Sequence, residues 1–264
     1  MRIACLPLAV LAAAWAQPQP PPIQNGKVET RSAAAGLEPV MRQIVAGAGT
    51  DAVWIGYKVA AVPGRSQTCW DNKYAGTIHL EGPGEFYILY RAREGRVDRI
   101  QTFSPDCVID AGNAVFHWLT EVKPAESIAY LAGMAQETSR GRDGAIAAIG
   151  IHAAPEAIGT LLEMARTGKS TNVRGQALLW LALTAPPQVS EAAIQEAIAK
   201  DPETEGKRRA VFALSQIPNG AGVPLLIQLA RGHSNAAVQK QAMFWLGRSK
   251  DERATKFFQE ILSR

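Results

Sequence analysis

The chain has 264 residues, 47% of them hydrophobic and 20% charged, with a formal net charge of +4. That composition excludes a disordered polymer, and so small a charge excludes the dense basic face that dedicated nucleic-acid binding uses. Beyond the first residues, no segment is long and apolar enough to span a membrane as a helix.

The chain opens with "MRIACLPLAVLAAAWA": cationic Arg2, an apolar run from Ile3 to Ala14, and the small-x-small ending Ala14-Trp15-Ala16. This layout predicts a signal peptide over 1–16, cleaved between Ala16 and Gln17, and hence an exported bacterial protein, periplasmic or secreted. The apolar run is too short for a spanning helix, which needs about 20 residues. Cys5 precedes that run, unlike a lipoprotein processing site. Removing 1–16 leaves Cys69 and Cys107 in an oxidising compartment, where a disulfide between them is expected. Two unrelated buried thiols or a redox pair are the alternatives, and no Cys-x-x-Cys motif supports the latter.

Residues 17–32, "QPQPPPIQNGKVETRS", are rich in Pro and Gln and predict a flexible tether without fixed structure. Residues 33–121 predict a small α+β domain with an antiparallel sheet. "LEPVMRQIVA" has helical spacing and tolerates Pro39 in its first turn. "DAVWIGYKVAAV" places Val53, Ile55, Tyr57 and Val59 on alternate positions, a strand pattern, and "GTIHLEG" is a short strand between glycines. "GEFYILYRAREGRVDRIQTFS" predicts a hairpin turning at Glu94-Gly95, whose two-residue loop sets Arg91 opposite Asp98. "SPDC" is a turn, and "AVFHWL" a last short apolar element.

From 122 to 264 the pattern is helical and repeats. "GAIAAIGIH", "VRGQALLWLAL", "RAVFALSQI" and "QAMFWLGRS" are centred on Ala145, Ala177, Ala210 and Ala242, 32 or 33 residues apart. One position on stand Ile146, Leu178, Val211 and Met243; four positions on, Ile149, Leu181, Leu214 and Leu246. Second helices follow: "AIGTLLEMAR", "AAIQEAIAK", "VPLLIQLAR" and "ATKFFQEIL". "SIAYLAGMAQ" aligns with these second helices and predicts an incomplete leading repeat. A helix pair cannot bury its own apolar face, but a stack of pairs can, so the columns predict the core of a solenoid.

The alternation of a "VRxxAxxxL" helix with an "LLxxA" helix over roughly 124–264 resembles the compact HEAT-like repeat of bilin-lyase-like proteins. The resemblance implies an all-α solenoid of about four helix pairs plus a leading half-repeat. It also implies a scaffold that binds another protein or peptide. Its enzymatic branches do not carry over. The paired His-Glu motifs of the di-iron hydroxylases are missing, because none of His79, His117, His152 and His233 precedes a Glu, and a bilin lyase acts in the cytosol.

No catalytic or metal-binding motif and no cofactor-binding loop emerges. His152 and His233 stand near helix ends, where satisfying terminal carbonyls is the common role. Asp106 and Asp110 fit turns better than a calcium loop, which needs more oxygen ligands. Three positions before each column alanine stand Arg142, Arg174, Lys207 and Gln239; Arg208 and Lys240 follow in their own copies. Equal positions align in a solenoid, so Arg142, Arg174, Lys207, Arg208 and Lys240 form a candidate basic binding ridge, or else a solvated or capping face. Charge reversal at Arg174 and Lys207 is expected to leave folding intact. Trp180 and Trp245 share a column three after the alanines and read as core filling. The competing functional reading is a ligand-binding or enzymatic N-terminal domain, with Trp54, Tyr57, Trp70, Tyr74 and Tyr87 lining a pocket and the repeats as an accessory.

Overall fold

A computed structural model describes residues 20–63, 84–105, 107–136 and 141–263. An α+β region leads into an all-α stack. The strands are β1 (Ile23–Gln24), β2 (Lys27–Ser32), β3 (Val53–Ala60), β4 (Glu85–Arg93), β5 (Arg96–Phe103), β6 (Ile109–Asp110) and β7 (Val115–Thr120), with helix α1 (Leu37–Gly47) between β2 and β3. The main sheet has the order β2-β7-β3-β4-β5. β3, β4 and β5 form an antiparallel meander, whereas β7 pairs in parallel with both β2 and β3. The sheet is therefore mixed, not antiparallel as expected.

The tether expectation also fails from Ile23 onward. Lys27–Ser32 forms an edge strand along β7, and β1 pairs in parallel with β6. Pairing with a neighbour's backbone does not require apolar side chains. An edge strand whose side chains stay half in solvent (Val28 is 38% exposed) lacks the alternation by which strands are recognised. The hairpin turns where expected, with Glu94 and Gly95 both at positive φ, the conformation of a two-residue primed turn. A bulge at Arg91/Ala92 moves the backbone partner of Arg91 to Arg99. Arg91 nevertheless grips Asp98 through two hydrogen bonds of 2.8 and 2.9 Å. The strand expected from "GTIHLEG" lies outside the described residues.

β4, "EFYILYRAR", is nearly continuously apolar because both its faces are covered. Phe86, Ile88, Tyr90 and Ala92 point into the main core. Tyr87 and Leu89 join Phe116, Trp118 and Ile109 on the opposite face, where a side chain at Gly56 would collide with Leu89 and Phe116.

The stack consists of α2 (Pro124–Gln136), α3 (Arg142–Ile151), α4 (Pro155–Thr167), α5 (Thr171–Thr184), α6 (Pro187–Lys200), α7 (Thr204–Ser215), α8 (Val223–Gly232), α9 (Ala236–Arg248) and α10 (Glu252–Leu262). The four copies are α3/α4, α5/α6, α7/α8 and α9/α10, with α2 as the leading half. Ala145, Ala177, Ala210 and Ala242 are each 0% exposed. Ile149, Leu181, Leu214 and Leu246 are buried beside them. Main-core residues run without interruption from Leu37 to Phe257, so sheet and stack share one core.

The first helices stack on each other in a fixed register. Phe212 of α7 meets Trp245 of α9 with ring centroids 5.0 Å apart. A side chain at Gly150 would collide with Trp180, and one at Gly175 with Arg209. Each helix thus turns one face back to its predecessor and another forward to its successor. The backward position one before the column alanine is Arg209 in α7 and Gly144 in α3. A side chain on Gly144 would lie 2.2 Å from the Ile100 carbonyl oxygen of β5. β5 therefore occupies the place that a preceding first helix would fill, and α2 supplies the second helix of that unit.

Candidate functional site

The cationic column does not form a free ridge. Arg174 is 8% exposed. Its Nε and Nη2 donate to the two carboxylate oxygens of Asp201 at 2.7 and 3.0 Å, Nη2 also to Glu203, and Nη1 to the Gly168 carbonyl at 3.0 Å. Burial pushes the Asp201 carboxyl up, but Arg174 and the Glu203 amide outweigh it and hold the group below the usual carboxylate range. Lys207 Nζ donates to the carbonyls of Ile198 and Ala199, both at 2.9 Å. Gln239 Nε2 donates to the Ala230 carbonyl at 3.0 Å. One rule covers all three: the side chain three before the column alanine reaches carbonyls at the C-terminal end of the second helix in the preceding copy. These belong to the C-cap Gly168 for Arg174 and to the last turn of the helix for Lys207 and Gln239. Those carbonyls lack intrahelical partners and carry the negative end of the helix dipole, so a donor belongs there, and a cation most of all.

Arg174 is thus a buried structural group and Lys207 an interrepeat cap, which corrects the binding-ridge reading and the expectation that their charges can be reversed freely. Arg142 is part-exposed and lies 3.5 Å from Asp143. Arg208 is exposed, paired with Glu205 at 3.1 Å and within 3.4 Å of Gln241. Lys240 is exposed. Of the five candidates, Arg208 and Lys240 face solvent most fully.

A second constellation escaped the sequence reading. Tyr90, Tyr57, Ser127 and His152 form a buried chain with steps of 2.6, 2.6 and 2.9 Å, and His152 Nδ1 lies 2.7 Å from the Ala148 carbonyl. The carbonyl can only accept, so Nδ1 carries the proton and Nε2 accepts from Ser127. Ser127 then accepts from Tyr57, and Tyr57 from Tyr90. A Ser–His contact of this length resembles a nucleophile and its base. Here Ser127 is 0% exposed and His152 2%, so the pair is sealed from substrate. Burial pushes both tyrosines' hydroxyls up and the His152 imidazole down, which keeps all three neutral. The chain bolts β3 and β4 to α2 and α3. Beside it, Ala61 bridges His152, and backbone bonds run from Val62 to Ile151 and from Ala153 to Ala60.

Tyr57 thus belongs to this interlock, and Tyr87 packs edge-on against Trp118 with centroids 5.5 Å apart. Trp54 packs part-buried on the outer face, while Trp70 and Tyr74 lie outside the described residues. Trp180 and Trp245 are part-buried against the main core. His117 is buried in β7, 3.5 Å from Glu29, and burial lowers its imidazole further than Glu29 raises it. The His233 ring accepts from the Asn235 amide, while its backbone N–H caps the Leu229 carbonyl at the end of α8 at 3.1 Å. Asp110 accepts from Asn25 and from the Gly112 amide, as a turn residue does. Asp106 and His79 are outside the described residues, as are Ala16 and Gln17. Cys107 is buried and disulfide-bonded, and Cys69 lies outside the described residues.

The architecture is an α+β region followed by a HEAT-like α-solenoid. Residues 190–264 match the family model for HEAT repeats, a repeat type that suggests a protein-interaction module. No curated protein matches the chain. Among the described residues, no helix is long and apolar enough to cross a membrane, and no cluster of His, Cys, Asp and Glu is arranged to hold a metal ion.

Proposed function

We propose that this is an exported, non-catalytic scaffold that binds a protein or peptide along its helical repeats. The observation that carries the reading is the stack itself: four first helices locked in register by an alanine column, with interrepeat carbonyls capped internally. A rigid extended surface of this kind binds by shape, with little ordering cost on its own side. Export rests on the signal layout of residues 1–16, and periplasmic or secreted placement follows from it. A Cys69–Cys107 bridge fits that compartment. Thiol counting on unfolded, unreduced mature protein is expected to find none free, and two free thiols would exclude the bridge.

The test is crosslinking of the tagged, signal-bearing protein in the envelope of its native cells, with mass spectrometry of the products. A reproducible protein partner joined within 124–264 is the expected result. Crosslinks confined to 33–121, or the absence of a protein partner, would overturn the scaffold reading and turn attention to the α+β region.

A further inference from the structure

The fourth copy departs from its siblings at two positions, both exposed in this copy. Six after the column alanine stand Ile151, Leu183 and Gln216 in the first three copies, but Arg248 in the fourth. Eight after it stand Ala153, Ala185 and Pro218, but Lys250 in the fourth. Both cations line a cavity of about 410 Å³ between the loop after α7 and the end of α9. Its other walls include Ser215, Gln216, Val223 and Trp245.

Arg248 and Lys250 have no ion pair among the described residues. The single acid in the lining, Asp251, is already committed. Arg253 donates to both its carboxylate oxygens, at 2.8 and 2.6 Å, and holds that carboxyl down to about 2. Arg248 lies over the exposed Phe244 ring, 5.7 Å from its centroid. Trp245 adds a further unmet demand: its Nε1–H is buried and has no acceptor. A buried donor left unpaired costs about 1–3 kcal/mol, so native structures seldom keep one without cause.

From two uncompensated cations in one cavity, with Trp245 and its unpaired indole N–H forming part of the wall, we infer that the pocket between the third and fourth copies binds a carboxylate of a partner polypeptide. This rests on the scaffold reading and names the chemistry that reading would recognise. The carboxylate pairs with Arg248 and Lys250 at the rim, and a partner apolar group covers Phe244. An acidic side chain and a chain terminus offer the same chemistry, so the experiment separates them.

¹⁵N-labelled protein is titrated to millimolar concentration with three probes: an acetylated, amidated alanine pentapeptide with a central glutamate, its glutamine counterpart, and an acetylated alanine pentapeptide with a free C-terminus. The indole N–H signal of Trp245 is assigned by its loss in Trp245→Phe. The expected result is a saturable movement of that signal with a carboxylate probe and none with the glutamine probe. The double variant Arg248→Gln, Lys250→Gln, whose melting should be unchanged, is expected to bind at least about tenfold more weakly. Response to the glutamate probe alone marks an internal acidic segment, and response to the free terminus alone marks a chain end. No movement with either carboxylate, or equal movement with glutamine, overturns the pocket. In envelope crosslinking, partners retained in full by the double variant count against the pocket alone, whereas an unmodified protein without partners sinks the scaffold reading beneath it.

Discussion

The joint between sheet and helices is built differently from the joints between repeats. Between repeats, an alanine column brings helices close, and one donor per copy caps the carbonyls behind it. At the first joint β5 takes the helix's place, and a buried hydrogen-bond chain of two tyrosines, a serine and a histidine fixes the sheet to α2 and α3. Alanine contacts are interchangeable from copy to copy, as a repeating surface requires. A chain of directed hydrogen bonds is satisfied in one arrangement only, so the first joint trades generality for a unique docking.

Arg174 sets the largest expected effect on that comparison. Arg174→Ala leaves Asp201, itself 7% exposed, without its partner and is expected to destabilise by about 3–5 kcal/mol. Urea unfolding measures it, and a change within experimental error would return Arg174 to the surface. Gly144→Ala sharpens the sheet joint: its new methyl meets the Ile100 carbonyl, and the overpacking is expected to cost roughly 1–3 kcal/mol, with the same methyl harmless at exposed Gly232.

Ser127→Ala removes the middle of the buried chain and is expected to cost about 1–3 kcal/mol, because His152 and Tyr57 both lose a partner. Acid should act on the same place. Burial holds the folded His152 imidazole below its ordinary value near 6.5, so the unfolded chain takes up the proton first. The stabilisation is complete above about 6.5 and is lost as pH falls towards the lowered folded value. His152→Gln is expected to flatten this dependence in melts recorded from neutral to mildly acidic pH. Lys207→Ala should have the smallest effect, about 1 kcal/mol or less, since water can reach part of the helix end it caps.

How far the sequence could be read follows from the same contrast. The repeats were legible because each copy states its rule again: Ala145, Ala177, Ala210 and Ala242 declare the column, and the half-repeat at α2 follows from alignment. The hairpin was legible because Glu94-Gly95 is a local signal. β2 was not, because an edge strand borrows its order from β7 and needs no pattern of its own. Nor was the interlock, whose partners lie 33, 70 and 25 positions apart and share no motif. The position of Arg174 was visible but its role was not. A cation at a repeating helical position reads as solvent-facing until Asp201, 27 residues on, closes over it.

The central claim is that the sheet completes the stack, so that both unfold together. Urea unfolding of a Trp180→Phe, Trp245→Phe protein, followed by tryptophan fluorescence and by far-ultraviolet circular dichroism of the helices, tests it most directly. In that protein Trp118 and Trp54 remain in the sheet and no tryptophan remains in the described helices. One shared midpoint, lowered equally in both signals by Ser127→Ala, is the expected result. Two separate transitions, with helical signal surviving after the sheet has melted, would contradict it.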